Sequence, residues 1–141
     1  MATDIKVGFR TYLLTQATVT TLVGSRIYFG NLPQNPEYPC VFLTRIGAQR
    51  WNHLGGECGV VQGIIQTDVL ADDAIEANAV AEAIRQVVHG YSGAMGSETV
   101  QSAMLETDFE GFDPPVDGGE GFRARVVQQY QITYEEEAAA V

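Results

Sequence analysis

The side chains best able to do chemistry in this sequence fall into a few small groups. Asp68, Asp72 and Asp73 form the one tempting group of carboxylates. A metal site needs oxygen ligands that converge on one point. Asp73 instead stands three residues before Glu76 at the head of an apolar-periodic segment, which is the pattern of a helix cap. Asp68 falls on the polar positions of an alternating segment and reads as an exposed strand residue. Asp113, Asp117 and Glu120 could offer oxygens to calcium, but they lack EF-hand spacing, so a solvated loop is the favoured reading. His53 sits beside Asn52 in a loop, and His89 sits on the polar side of a helix end, where a cation suits the helix dipole. Surface or capping roles are expected for both. Cys40 and Cys58 lie in or beside apolar strand-like runs with no Cys-x-x-Cys and no histidine at ligand spacing. They are expected to be two buried, reduced thiols. No serine stands in Gly-x-Ser-x-Gly. Gly118-Gly119-Glu120-Gly121 precedes a strand and carries an acid, so it is a hairpin tip and not a phosphate loop. The sequence therefore predicts no catalytic residue, no metal and no cofactor.

Composition narrows the classes further. The 141 residues carry 18 acids against 8 Lys and Arg, a formal net charge of −10. Such a chain is a poor candidate for gripping phosphates. Its hydrophobic content of 45% is enough for a packed core without disulfides. No apolar run approaches the ~20 residues that span a bilayer, and the N-terminus shows no signal-peptide pattern. One domain over residues 1–135 is expected, with a flexible tail over 136–141.

The elements that must position these residues are legible from periodicity. Ile5, Phe9, Tyr12 and Leu13 predict a helix over Thr3–Gln16, capped by Thr3 or Asp4 and slightly weakened by Gly8. A short helical turn covers Thr18–Val23 and stops at Gly24. Arg26–Phe29 reads as a short strand. Asn31–Pro39, with Pro33, Pro36 and Pro39, reads as an extended loop. Cys40–Ile46 is a strand, Gly47–Gly59 a polar connection, and Val60–Ala71 a strand with Gly63 as a candidate bulge. The strongest helix places Ala74, Ala77, Val80, Ala81, Ile84, Val88 and Tyr91 on one stripe. Val80, Ile84 and Val88 are expected to face the sheet opposite Val126 and Tyr130. Tyr91–Glu98 is a turn, Val100–Phe109 a strand, and Glu110–Gly121 a long acidic loop. Gly121–Glu135 is the clearest strand, with its apolar face broken once by Gln128. The sum is α+β: a mostly antiparallel sheet of four to five strands, with one long helix and an N-terminal helix packed on it.

At Leu22-Val23-Gly24-Ser25-Arg26-Ile27-Tyr28 the sequence resembles the phage tail completion or tail terminator proteins. The resemblance continues through Tyr38-Pro39-Cys40-Val41-Phe42, then Gly47-Ala48-Gln49-Arg50, then Ile65-Gln66-Thr67-Asp68 leading into the Ala-rich helix. It lies in the order and spacing of these pieces and covers nearly the whole chain. Two departures stand out: Cys40 replaces a larger residue, and the 110–121 loop is long and acidic.

The resemblance implies a non-enzymatic virion protein, assembled in the host cytoplasm. It would form a ring, usually a hexamer, that caps the tail tube, stops its polymerisation and joins the tail to the head connector. Its partners would be itself, the tube protein and the connector or stopper, with DNA passing through unbound past acidic walls that repel phosphate. Other neck or tail components, a tube subunit or head–tail stopper, remain an alternative reading, as does a small ligand-binding α+β domain. Trp51 either folds back onto the core or anchors a partner, and the sequence leaves both open. Arg50 and Trp51 on one loop, and Asp113, Asp117 and Glu120 on another, are the candidate partner-binding residues. One subunit's basic loop is expected to meet the acidic loop of the next.

Overall fold

The computed structural model describes residues 5–29, 37–53, 56–96, 98–113 and 123–135. The chain opens with helices α1 (Ile5–Leu14) and α2 (Ala17–Val23), then strand β1 (Ile27–Phe29). Strands β2 (Cys40–His53) and β3 (Gly56–Ala71) lead to helix α3 (Ala74–Val88). Strands β4 (Gly93–Met95), β5 (Glu98–Asp113) and β6 (Arg123–Glu135) complete it. The strands form one six-stranded sheet in the order β1-β2-β3-β6-β5-β4. Among the described strands, only the β1–β2 pair is parallel. The α+β class holds: the described residues form six strands and three helices, where the sequence predicts four to five strands, one long helix, an N-terminal helix and a short helical turn. The extra strand, β4, lies inside the expected Tyr91–Glu98 turn; three residues are too few to show a period.

The helices form where apolar periodicity meets a stop signal. Ile5, Phe9 and Leu13 recur every four residues on α1 and are all buried. Gly8 lies on the same helix for a different reason. A Cβ there would sit 2.3 Å from the Met95 carbonyl oxygen, so α1 touches β4 only because Gly8 has no side chain. Gly24 ends α2 at φ 59° and returns its N–H to the Thr20 carbonyl. Asp73 caps α3, its Oδ1 accepting from the Glu76 amide at 2.8 Å. The helix ends at Val88, before the expected Tyr91. His89 takes extended ψ there, and Tyr91 instead stacks on Tyr12 at 4.2 Å between ring centroids. The expected Thr3 and Asp4 caps lie outside the described residues, as does most of the Pro-rich segment.

All three helices bury their apolar faces on one side of the sheet. Val80, Ile84 and Val88 of α3 are buried with Val61, Ile65 and Val69 of β3 and Val126, Tyr130 and Ile132 of β6, as the periods predict. Gln128, the break in the β6 pattern, belongs to this layer and is 2% exposed. Its Nε2 donates to the Ala81 carbonyl of α3 at 3.1 Å. Its Oε1 accepts from the Tyr130 and Thr67 hydroxyls at 3.0 and 3.3 Å. A buried amide with every partner in place ties α3 to two strands at a fixed register.

The strands run longer than expected. The supposed polar connection over residues 47–59 is mostly sheet: β2 continues to His53 and β3 starts at Gly56. Register shifts between Arg45 and Gly47 and between Arg50 and Asn52 explain the discrepancy. A bulge moves the side-chain alternation to the other face, which hides a strand from a period-two search. Gly63 is no bulge. It pairs in unbroken register with Ala48 and Ile132. Residues 110–113 of the expected acidic loop continue β5, paired with 123–126. Asp117 and Glu120 lie outside the described residues.

Candidate functional site

The chemistry-bearing residues do not converge. Asp68 is buried, not exposed as expected, and pairs with the Arg125 guanidinium at 2.6 Å. Asp68 lies beside Val127 and Arg125 beside Leu70 in the β3–β6 ladder, so they are diagonal neighbours within reach of a long side chain. Gln66 donates to Asp68 at 2.8 Å and accepts from Gln129 at 3.1 Å. Asp73 is spent on the α3 cap. Among the described residues, no group of three or more His, Cys, Asp or Glu side chains is placed to hold a metal. His89 caps a strand: its Nδ1 accepts from the Leu105 amide at 3.0 Å. Burial pushes the Tyr130 phenol well above its usual range, against a smaller opposite pull from Arg85. That is the signature of a core tyrosine with its hydroxyl bonded to Gln128. Cys40 is buried at the Leu70 end of the sheet, while Cys58 falls at the opposite end of β3. The strand between them is far longer than a disulfide reaches.

What the sheet does expose is surface for docking. The face turned away from the helices carries Thr44, Gln62, Ile64, Gln66, Gln129, Gln131 and Thr133, all half-buried or exposed. Met104 and Phe109 lie on the same face at 44% and 53% exposure. Amides dominate it, and Asp68 and Arg125, near one end of its two middle strands, neutralise one another.

The two edges are each half closed. β1 covers β2 only over Val41–Leu43. Arg10 of α1 donates to the Ile27 carbonyl at 2.7 Å, and Lys6 and Arg10 lie over the Phe29 ring. Beyond Leu43 no described strand pairs with the outer side of β2, from Thr44 to His53. On the far edge, β4 pairs with β5 over Glu98–Val100. Gly90 then donates to the Ala103 carbonyl at 2.6 Å, and His89 takes the Leu105 amide. From Glu106 to Asp113 no described strand lies outside β5.

Of the candidate partner residues, Arg50, Trp51 and Asp113 fall on these edge strands. Arg50 is a β2 residue paired with Val61, Trp51 follows it at the register shift, and Asp113 ends β5 opposite Arg123. Arg50 and Asp113 lie at opposite ends of the sheet, because β3 and β6 run antiparallel with Val60 beside Glu135 and Ala71 beside Ala124. One copy of the chain cannot bring them together. The open edges themselves were missed in the sequence. The signal available was a polar stretch with Arg45 and Arg50 and no acid, and a second stretch with Glu106, Asp108, Glu110 and Asp113 and no base.

Comparison with known proteins adds two findings. The family model described as "Tail completion protein gp17" matches residues 9–135. Among solved structures, the fold is similar to that of a chain in the "Virion of native gene transfer agent (GTA) particle". The TM-score is 0.59 at 14% identity, covering 84% of this chain and 85% of that one. No curated protein matches the sequence.

Proposed function

We propose, from the premise that the chain belongs to the Tail completion protein gp17 family and is a structural tail protein, that it is a tail terminator. In this reading a closed ring of copies, a hexamer, caps the tail tube at its head-proximal end. It stops tube growth, and it offers a docking face to the head connector. The chain acts as a single domain over residues 1–135, without catalysis or cofactor. The observation that carries the reading is the family match over nearly the whole chain.

The surfaces support it. A ring needs two different, complementary patches on each copy, so that every subunit meets the next in the same way. The two sheet edges are such a pair. A channel for DNA needs a wall that does not hold phosphate. The amide-rich sheet face suits that role because the charges of its Asp68–Arg125 pair cancel. The acids concentrate elsewhere, on β5, so the channel wall proposed here is neutral and not acidic. Trp51, Asp117 and Glu120 belong to the contacts with neighbouring subunits, tube and connector.

The test is localisation in the particle. Labelled protein should appear as one ring between the tail tube and the head, and particles lacking it should have tails that are over-long or unjoined. Label distributed along the tube would make the chain a tube subunit, and label at the distal tip would remove the terminator reading altogether.

A further inference from the structure

We propose that the open edge of β2, Thr44–His53, receives the open edge of β5, Glu106–Asp113, from a second copy of this chain. The sheet then runs unbroken from subunit to subunit. This rests on the ring reading above and adds the contact that builds the ring.

An unpaired strand edge is a row of backbone donors and acceptors that will pair with any strand offered to it. Natural sheets close such edges, and this one does so where it can. β1 with Arg10 shuts one half-edge, and β4 with His89 and Gly90 shuts the other. Among the described residues two stretches of the same sheet stay open, and each calls for an occupant.

Charge selects that occupant. Thr44–His53 contains Arg45 and Arg50 and no acid, while Glu106–Asp113 contains Glu106, Asp108, Glu110 and Asp113 and no base. Arg45, Glu106, Asp108 and Glu110 are exposed. Two β2 edges together, or two β5 edges, would set like charges side by side, which is disfavoured. Only the β2-to-β5 match is attractive. It is head-to-tail, so it propagates around a ring and does not stop at a dimer.

Strand direction agrees. β2, β3, β6 and β5 alternate in direction, so β5 runs opposite to β2. Copies related by rotation about one ring axis keep that sense from subunit to subunit, whatever the tilt of the strands to it. The new pair is therefore antiparallel, continuing the alternation with perpendicular hydrogen bonds.

The closed halves fix the register. Val41, Phe42 and Leu43, covered by β1, lie level with Glu110, Phe109 and Asp108 across the ladder. Val100, covered by β4, lies level with Arg50. The open stretches are thus at opposite ends, and a neighbour must slide along the strands to engage. Sliding Glu106–Asp113 wholly opposite Thr44–His53 takes an offset of roughly six residues, about 20 Å, against about 19 Å for the width of the four long strands. That corresponds to strands tilted by about 45°, at the upper end of the 35–45° range of closed barrels. β1 and the neighbour's β4 then abut the two ends of the new pair and bar other registers.

The experiment uses two full-length variants in tail assembly. Arg45→Glu with Arg50→Glu makes the β2 edge acidic, and Glu106→Lys, Asp108→Lys and Glu110→Lys together make the β5 edge basic, since Asp113 is then its one remaining acid. Each alone should lower the fraction assembled on tails by at least about tenfold, through like-charge contacts at the edge, with its unfolding midpoint unchanged. Mixed in equal amounts the two should assemble again, because each edge then finds its opposite on the other variant. Such rings must alternate, so native mass spectrometry should show equal numbers of the two. Wild-type assembly by either variant alone, or loss by both with no recovery on mixing, overturns the edge pairing while the terminator reading stands. Absence of any closed ring of the wild-type chain on tails overturns both.

Discussion

Each edge of the sheet has a closed half and an open half, and the two are built differently. The closed halves draw on many parts of the chain. β1 is held by an α1 arginine, and β4 sits against α1 through Gly8. His89 and Gly90 bring the end of α3 down onto β5. The open halves draw on β2 and β5 alone, and each is polar, of one sign of charge, and interrupted by a bulge or bordered by one. Closure is thus a tertiary product that the helices pay for in shape, whereas the open stretches are left to another chain. Damage to the closed halves should cost stability, and damage to the open halves should cost assembly.

The largest stability effect is expected beneath the closed side. Ile84 is fully buried where α3 meets the sheet. Ile84→Ala should lower unfolding free energy by ~2–5 kcal/mol in a denaturant titration. A loss no greater than that of an ordinary surface change would mean α3 does not pack as described. Gly8→Ala should come next. Alanine is the better helix former by ~1 kcal/mol, yet the close Met95 carbonyl should turn that gain into a net loss of ~1–3 kcal/mol, as overpacking does. A stabilised Gly8→Ala protein would show that α1 and β4 are not in contact.

A smaller effect separates the two halves of β5. His89→Ala removes the acceptor for the Leu105 amide and should cost about 1 kcal/mol. Hydrogen exchange at Leu105 should rise with it, extending the open edge toward the closed one. Unchanged protection at Leu105 would mean the cap is not made in solution. The smallest change belongs to the open half of β2. Arg45→Glu alone should shift stability by no more than about 0.5 kcal/mol, as for exposed sites. An unfolding midpoint displaced well beyond that would show Arg45 to be part of the folded monomer, and the comparison of halves would blur.

Much of the fold could be read directly from residue order. The apolar stripes Ile5–Phe9–Leu13 and Val80–Ile84–Val88 set two helices, Asp73 and Gly24 set two of their ends, and Val61–Ile65–Val69 with Val126–Tyr130–Ile132 set the buried face of two strands. These are local or strictly periodic signals, so a single sequence carries them. Gln128 looked like an exception to that pattern, and Asp68 like an exposed residue that obeyed it. Their partners, Ala81 and Arg125, stand 47 and 57 residues away, and only the folded chain brings them together.

The sequence by itself determined the α+β class, the helix-covered face, the absence of a recognisable catalytic motif, and the ordered resemblance that the family match over residues 9–135 supports. Tertiary structure alone decided how long the strands are and which edges remain open. Bulges at Arg45/Gly47 and Leu105/Thr107 break the period that announces a strand, and a three-residue strand such as β4 has no period at all. Whether a backbone amide is satisfied depends on what lies beside it in space, as His89 lies beside Leu105. Position along the chain does not contain that information.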